Sequence, residues 1–186
     1  MLAFNLKRIE IEENKHLDTS KLFGSPTFPE DFLSKHHLDT DYFFAQLNLD
    51  EIKDDSHLLP ETGMLYFFLR FTKYSVRPVV VYSTEELYEV MGDPNEMFDE
   101  LDFKDALYMD FCNDGKSGFI IGSIDQELPE HDDEDDVVLL KVDPLNVLAS
   151  DFPIFNNPDD EIYFLIKKED LDKKNFKKVK LVFHGS

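Results

Sequence analysis

The chain of 186 residues repeats a short phrase of its own sequence. KLFGSPTFPED, residues Lys21 to Asp31, and GFIIGSIDQELPEHD, residues Gly118 to Asp132, both run from apolar residues through Gly-Ser to Pro-Glu and then to Asp. A unit of about half this chain is too small to bury a good core by itself. The repeat therefore predicts that each copy packs against its twin.

Two further pairs of blocks follow in the same order. FFAQLNLD (Phe43 to Asp50) corresponds to LLKVDPLN (Leu139 to Asn146), and MLYFFLR (Met64 to Arg70) corresponds to EIYFLIK (Glu161 to Lys167). Equivalent residues in all three pairs are separated by a nearly constant distance of about 95 to 98 residues. A constant spacing over three blocks indicates an internal duplication rather than a chance match.

The repeats are predicted to consist mainly of strands. YFFAQLNL and MLYFFLRF are short aromatic and apolar runs, and LPETG between them carries turn-forming Pro60 and Gly63. DVVLLKVDP, NNPDDE and IYFLIKK repeat this arrangement. Helical periodicity is confined mainly to STEELYEVM and the first fifteen residues. We expect an α+β fold with a mainly antiparallel sheet: one domain, residues 1–186, in which two repeats, roughly 20–95 and 115–186, form one compact body.

The charge balance limits the classes of partner. Forty Asp and Glu residues against nineteen Lys and Arg give a formal net charge of −21. Such a field repels nucleic acid and anionic membranes, and it speeds the encounter with a basic protein. We therefore expect a basic protein partner, and neither nucleic acid nor a membrane as a partner. We also expect the chain to be a monomer or a weak dimer.

The sequence also predicts a compartment. Cys112 is the single cysteine, so neither an internal disulfide nor a thiolate zinc cluster is expected. No run reaches the length of about 18 apolar residues that a membrane span needs, and the first residues lack the pattern of a signal peptide. These features favour a cytoplasmic protein without a resident cofactor.

The blocks FGSPTFPED, FFAQLNLDEI, LPETGMLYFF, IIGSIDQ, LLKVDP and IYFLIKKEDLDKKNF together resemble the YwqG-like family of bacterial proteins of uncharacterised function. The likeness runs from about Leu22 to Val182. The resemblance implies an antiparallel sheet with an internal duplication. It implies no enzymatic reaction, because none is established for the family. Family members usually carry a Trp-Pro, a central His before Gly-Tyr-Pro, and a Trp-Gly-Asp. This chain has no Trp, so the resemblance implies a shortened and divergent member.

Acidic runs supply the favoured candidate site. The stretch EHDDEDD, from Glu130 onward, could bind Ca²⁺ through its carboxylates, but it lacks the ligand spacing and central glycine of an EF-hand loop. Clustered carboxylates also steer basic partners. This stretch is either a solvated acidic loop or, in the functional hypothesis, the partner-binding surface of an immunity- or antitoxin-type factor that covers a basic protein. The candidate residues are Asp132, Asp133, Glu134, Asp135 and Asp136, with Asp54 and Asp55 as a second patch.

A cleft between the two repeats is the alternative site, for an enzyme or a protein that binds a small ligand. Gln46 and Asn48 are two residues apart on a predicted strand, so both side chains project from one face. Tyr66 and Tyr163 are equivalent aromatic residues of the two repeats. These four side chains could hold a ligand, or they could satisfy buried backbone groups.

No catalytic residue and no metal ligand is predicted. NDGKSGF contains Gly-Lys-Ser, yet Asp110 occupies the place of the first glycine of a phosphate-binding loop, and Asp114-Gly115 is typical of a hairpin turn. The six histidines show no ligand spacing on a helix, and neither a Gly-x-Ser-x-Gly elbow nor a Cys-His signature is present. Catalysis is therefore left open, and binding without catalysis is favoured.

Overall fold

The computed structural model describes residues 1–7, 18–24, 26–53, 56–85, 89–90, 106–123, 135–143 and 161–185. None of the helices among them is long and apolar enough to cross a bilayer. The described strands are β1 Leu2–Lys7, β2 Lys21–Leu22, β3 Thr27–Phe28, β4 Tyr42–Asn48, β5 Met64–Phe71, β6 Val76–Ser83, β7 Glu89–Val90, β8 Leu107–Cys112, β9 Gly118–Ser123, β10 Asp136–Val142, β11 Glu161–Lys167 and β12 Lys180–His184.

Contacts divide the chain into two compact units. The N-terminal unit consists of Leu6–Ile52 and Thr62–Met109. The C-terminal unit consists of Met1–Asn5, Lys53–Glu61 and Asp110–Ser186. Each unit has its own antiparallel strands and its own buried side chains.

The N-terminal unit contains an antiparallel run of strands in the order β2-β4-β5-β6, with the first residues of β8 on the other side of β2. Every residue of β4 is buried, as expected for an apolar strand covered on both faces. The helix α1, Phe32–His36, follows β3, which pairs with β7 in a separate two-stranded sheet.

One aromatic cluster forms the core of this unit. Phe28 stacks on Phe32 with ring centroids 4.9 Å apart, and Phe43, Tyr66 and Phe68 complete the group. Full burial of a Phe side chain stabilises a fold by roughly 1.5–3 kcal/mol. This cluster therefore holds β3 and α1 against β4 and β5.

The C-terminal unit has the strand order β1-β9-β10-β11-β12, and each neighbouring pair is antiparallel. Val138, Tyr163 and Leu165 form its described core cluster, against which Phe119 and Val182 pack. The five-residue helix α2, Lys168–Asp172, follows β11 directly.

Equivalent residues of the two units have corresponding pairing partners within each unit. Gln46 lies opposite Tyr66 in the N-terminal unit, and Lys141 lies opposite Tyr163 in the C-terminal unit. The β4–β5 ladder has an irregularity between Phe43 and Ala45, and the β10–β11 ladder has one between Val138 and Leu140. Two of the three pairs of blocks therefore have matching registers within their own units.

A backbone feature is also shared. Phe23 has a φ of 56° and is followed by Gly24, and Ile121 has a φ of 47° and is followed by Gly122. Positive φ is uncommon for a residue with a side chain and rare for a β-branched one. Phe23 comes directly after the end of β2, whereas Ile121 lies within β9, which continues to Ser123.

The prediction of an α+β fold is wrong, because the structure is mostly antiparallel sheet. The described α-helices, α1 and α2, have five residues each. The first residues, which were expected to be helical, contain strand β1, paired with β9. A short amphipathic run fits either periodicity, so pairing with a neighbouring strand decides its conformation.

Candidate functional site

A cleft of about 310 Å³ lies at one end of the N-terminal unit. Asn48 is the last residue of β4, Met64 is the first of β5 and Ser83 is the last of β6. Met64 pairs with both of the others, so the three strand ends lie side by side. The residues that line the cleft are Asp18, Asn48, Asp50, Thr62, Gly63, Met64, Ser83, Thr84 and Glu85.

Asn48 organises one wall of this cleft. Its Oδ1 accepts a hydrogen bond of 3.0 Å from the backbone N–H of Asp50, which begins the 3₁₀ turn Leu49–Glu51. This is the role of a helix N-cap, because the first N–H groups of a helical turn have no internal acceptor. The cap fixes Asp50 at the edge of the cleft.

Ser20 holds the neighbouring segment in place. Its Oγ accepts a hydrogen bond of 2.9 Å from the backbone N–H of Asn48, and its own N–H donates to Oε2 of Glu51 at 2.9 Å. These two bonds tie the chain beside Asp18 to the end of β4. Asp18 therefore lies at the same cleft although it is distant in sequence.

Gly63 allows β6 to approach closely. Its φ is +99°, and a Cβ at this position would lie 2.7 Å from the carbonyl oxygen of Ser83. Its own carbonyl accepts a hydrogen bond from the N–H of Leu49. A side chain here would be strained and would push the ends of β5 and β6 apart.

The cleft is acidic. Asp18, Asp50 and Glu85 are exposed, and no Lys, Arg or His is among the described residues that line it. Glu85 is paired with Lys35, and both side chains are about half exposed (48% and 50%). Within the described part of the chain, Asp18 and Asp50 form no ion pair. Burial and then the charge of Asp50 raise the pKa of nearby Tyr82, as a negative potential requires.

Two of the residues predicted for a ligand site bind backbone instead. Gln46 is fully buried, and its Oε1 accepts from the N–H of Thr27 at 3.0 Å while its Nε2 donates to the carbonyl of Thr19 at 2.9 Å. The hydroxyl of Tyr66 donates to the carbonyl of Thr27 at 2.7 Å, and burial raises its pKa. Asn48 is the one member of the predicted set that lines the described cleft.

The fourth predicted residue, Tyr163, belongs to a polar cluster of the C-terminal unit. Its hydroxyl donates to Oε2 of Glu161 at 2.5 Å, and Nζ of Lys141 lies 2.5 Å from Oε1 of the same carboxylate. The ammonium group of Lys141 also lies over the rings of Tyr163 and Phe119, at 5.3 and 5.7 Å from their centroids. These groups satisfy one another, as in a structural ion pair.

The predicted partner-binding residues are described only in part. Asp135 is exposed, whereas the side chain of Asp136 is buried at the start of β10, with an oxygen 3.8 Å from Nζ of Lys180. A buried carboxylate paired within the chain contributes to the fold and presents no surface to a partner. Asp54, Asp55, Asp132, Asp133 and Glu134 lie outside the described residues.

Sequence reasoning missed Asp18, Asp50, Ser83 and Glu85. The one available signal was the run Asn48-Leu49-Asp50, in which an amide precedes an acidic residue directly after a strand. Ser83 and Glu85 come from a segment that was expected to be helical. In the residues that the structure describes, no group of three His, Cys, Asp or Glu side chains is arranged to hold a metal ion.

Part of the chain matches a family model. A family model described as a domain of unknown function (DUF1963) matches residues 20–91. A search of the curated proteins finds no match. The matched stretch contains β2 to β7 and every cleft residue except Asp18. Over this stretch the chain is similar to an uncharacterised domain family.

Proposed function

We propose that this chain is a non-catalytic binding protein of the cytoplasm, an acidic immunity- or antitoxin-type factor that covers a basic protein partner. One observation carries the proposal: the described cleft has two exposed carboxylates, Asp18 and Asp50, that form no ion pair with any described residue, in a chain with a net charge of −21. A cationic surface would supply the missing counter-charges. Long-range attraction between such surfaces accelerates association.

We also propose that the chain is a divergent member of the YwqG-like family and that its two units arose by duplication. The matched residues 20–91 include the phrase Ala45 to Asn48, on which the family resemblance chiefly rests. The shared registers Gln46 with Tyr66 and Lys141 with Tyr163 support the duplication.

The test of the proposed function is capture followed by kinetics. The full chain is immobilised and exposed to an extract of its source cell at about 50 mM and about 500 mM salt. Each protein that is retained at low salt is purified, and its association and dissociation rates are measured. A basic partner that binds with 1:1 stoichiometry and with an association rate that falls steeply with salt supports the proposal.

Two controls separate recognition from simple charge attraction. Polyglutamate of equal charge is immobilised beside the chain, and a partner retained equally by both contradicts the proposal. The triple variant Asp132→Asn, Asp133→Asn and Asp135→Asn tests the acidic run. If that run steers the partner, association slows more than dissociation speeds up, and the salt dependence weakens.

A further inference from the structure

The cleft of the N-terminal unit offers two kinds of polar group at different depths. Asn48 lies at its inner wall and is 9% exposed. Its Oδ1 is occupied by the N–H of Asp50, whereas its Nδ2 donates a hydrogen bond to no atom of the described residues. Nδ2 is not one of the buried side-chain atoms that lack a partner, so it is open to the cleft. A ligand that brings an acceptor oxygen can therefore bind this donor at the inner wall.

Ser83 provides a second donor on the same wall. It is 8% exposed, and its Oγ accepts a hydrogen bond of 3.1 Å from the N–H of Glu85. Because the oxygen is used as an acceptor, the hydroxyl hydrogen is left to donate into the cleft. Asn48 and Ser83 lie on either side of β5, about 10 Å apart along the sheet, so each donor can bind its own acceptor oxygen.

The rim of the cleft carries negatively charged acceptors instead of donors. Asp18 and Asp50 are exposed there, and neither forms an ion pair among the described residues. A free anion would be repelled by this rim. A bare metal ion would meet the N–H donor of Asn48 instead of an oxygen ligand. A ligand with a cationic group and, a few bonds away, a carbonyl group satisfies both parts of the cleft.

We infer that this cleft receives one basic residue of a protein partner, with its guanidinium or ammonium group at Asp18 and Asp50 and its main-chain carbonyl at Asn48. The inference rests on the proposed function and names the chemistry by which the partner is recognised. A volume of about 310 Å³ is of the size that takes a compact ligand group. Arginine fits best, because its planar fork forms paired hydrogen bonds with carboxylates.

The probes are three capped tripeptides, acetyl-Gly-X-Gly-amide, in which X is arginine, lysine or citrulline. Citrulline has the shape of arginine without its charge. Binding to the full chain is followed by chemical-shift changes in a peptide titration. We expect the arginine peptide to bind more tightly than the lysine peptide, and the citrulline peptide to bind about 2- to 30-fold more weakly than the arginine peptide, since it loses two exposed ion pairs.

The matched variants have the same change in net charge. Asp18→Asn with Asp50→Asn removes the rim carboxylates, and Asp39→Asn with Asp172→Asn removes two exposed carboxylates that do not line the cleft. Only the first pair is expected to weaken the arginine peptide, again by about 2- to 30-fold. Equal affinities for arginine and citrulline, or equal effects of the two pairs, overturn the inference.

Asn48→Asp tests the inner wall. The aspartate keeps an acceptor for the N–H of Asp50 but removes the Nδ2 donor. The arginine peptide is compared with ethylguanidinium, which has the charge and no carbonyl group. In the unchanged chain the arginine peptide should bind more tightly than ethylguanidinium. We expect the ratio of these two affinities to fall by about 2- to 10-fold in the variant, because one hydrogen bond is lost. An unchanged ratio contradicts the role of Asn48.

The inference and the proposed function fail in different ways. If a purified basic partner binds with a salt-sensitive rate and the Asp18 and Asp50 variant binds it equally well, the inference is wrong and the proposed function survives. If the arginine peptide binds as expected and no basic protein forms a 1:1 complex, the proposed function is wrong and the cleft is a site for a small cationic ligand. If millimolar arginine peptide causes no chemical-shift changes in the chain, the inference is wrong.

Discussion

Gln46 and Tyr66 face each other across β4 and β5, and both hydrogen-bond to the backbone of Thr27. The amide oxygen of Gln46 accepts from the N–H of Thr27, and the hydroxyl of Tyr66 donates to its carbonyl. Through Nε2, Gln46 also donates a hydrogen bond to the carbonyl of Thr19, the residue after Asp18. Gln46 therefore positions the segment that carries Asp18, and both side chains fix the backbone of Thr27.

Replacing Gln46 with Leu should destabilise the fold more than any exposed substitution. The change removes the partners of the Thr27 N–H and the Thr19 carbonyl, and each lost buried partner costs about 1–3 kcal/mol. We expect urea denaturation to show a loss of about 2–4 kcal/mol. Tyr66→Phe, which removes one bond, should cost about 1–2 kcal/mol.

Tyr82→Phe is the matched control for Tyr66→Phe. Its hydroxyl also donates to a backbone carbonyl, that of Thr62 at 3.0 Å, but on the exposed surface. Water replaces this bond when it is lost, so the change should cost less than about 0.5 kcal/mol. Equal costs for the two Tyr→Phe variants would contradict the buried role of Tyr66.

The ion pair between Arg70 and Asp41 should contribute more than an ordinary surface pair. Nε and Nη2 of Arg70 both contact the carboxylate of Asp41, at distances down to 2.5 Å, and this carboxylate is buried. These hydrogen bonds raise the pKa of Arg70. Arg70→Met leaves Asp41 buried without its cation and should cost about 1–3 kcal/mol, less than a fully buried pair because Arg70 is partly exposed.

Lys173→Met is the control for Arg70→Met. Lys173 pairs with Glu169 one helical turn away, and both side chains are mostly exposed. Such a pair contributes about 0.3–0.5 kcal/mol. If thermal denaturation gives the same loss for Arg70→Met and Lys173→Met, the buried carboxylate of Asp41 has no special role.

Lys21 should make stability depend on pH. It is 4% exposed on β2, and burial lowers its pKa from 10.5 to about 8. Between these values the unfolded chain binds a proton that the folded chain does not, so the free energy of unfolding rises with pH. We expect a gain of about 1–2 kcal/mol between about pH 7.5 and 9.5, at no more than about 1.4 kcal/mol per pH unit.

The matched variant for this measurement is Lys21→Met, which keeps most of the apolar stem and removes the ionisable group. Its stability should show no gain of this kind over the same range. Measurements stop near pH 9.5, because burial raises the pKa of Tyr66 and Tyr108, and tyrosine ionisation in the unfolded chain then lowers stability. A parallel rise in both proteins would assign the effect to other groups.

Gly63→Ala should destabilise the end of the β5–β6 hairpin. The new Cβ would lie 2.7 Å from the carbonyl oxygen of Ser83, in a backbone conformation with φ of +99°. We expect a loss of about 1–3 kcal/mol in urea denaturation. Gly185→Ala, at an exposed position near the end of the chain, should change stability by less than about 0.5 kcal/mol. Equal losses at both glycines would contradict the steric account.

Much of the strand content follows from local sequence, whereas the helical expectations failed. The aromatic runs of β4 and β5 and the turn at Pro60 and Gly63 are strong short-range signals, and their positions agree with the strands observed. The first residues were expected to be helical because their amphipathic pattern is short and ambiguous. Pairing of Leu2 with Ile120 makes them a strand, and that contact is distant in sequence.

The sequence by itself determined the acidic charge, the paired blocks and the positions of the main strands along the chain, because charge, composition and side-chain period are local properties of a chain. Only the tertiary structure decided that Gln46 and Tyr66 bind the backbone of Thr27 and that Asn48 faces a cleft. Only the tertiary structure also showed that Asp18 and Asp50 line the same cleft. The physical reason is register: a cleft formed by the ends of three strands depends on which residues pair across the sheet, and pairing is set by the packing of the whole unit.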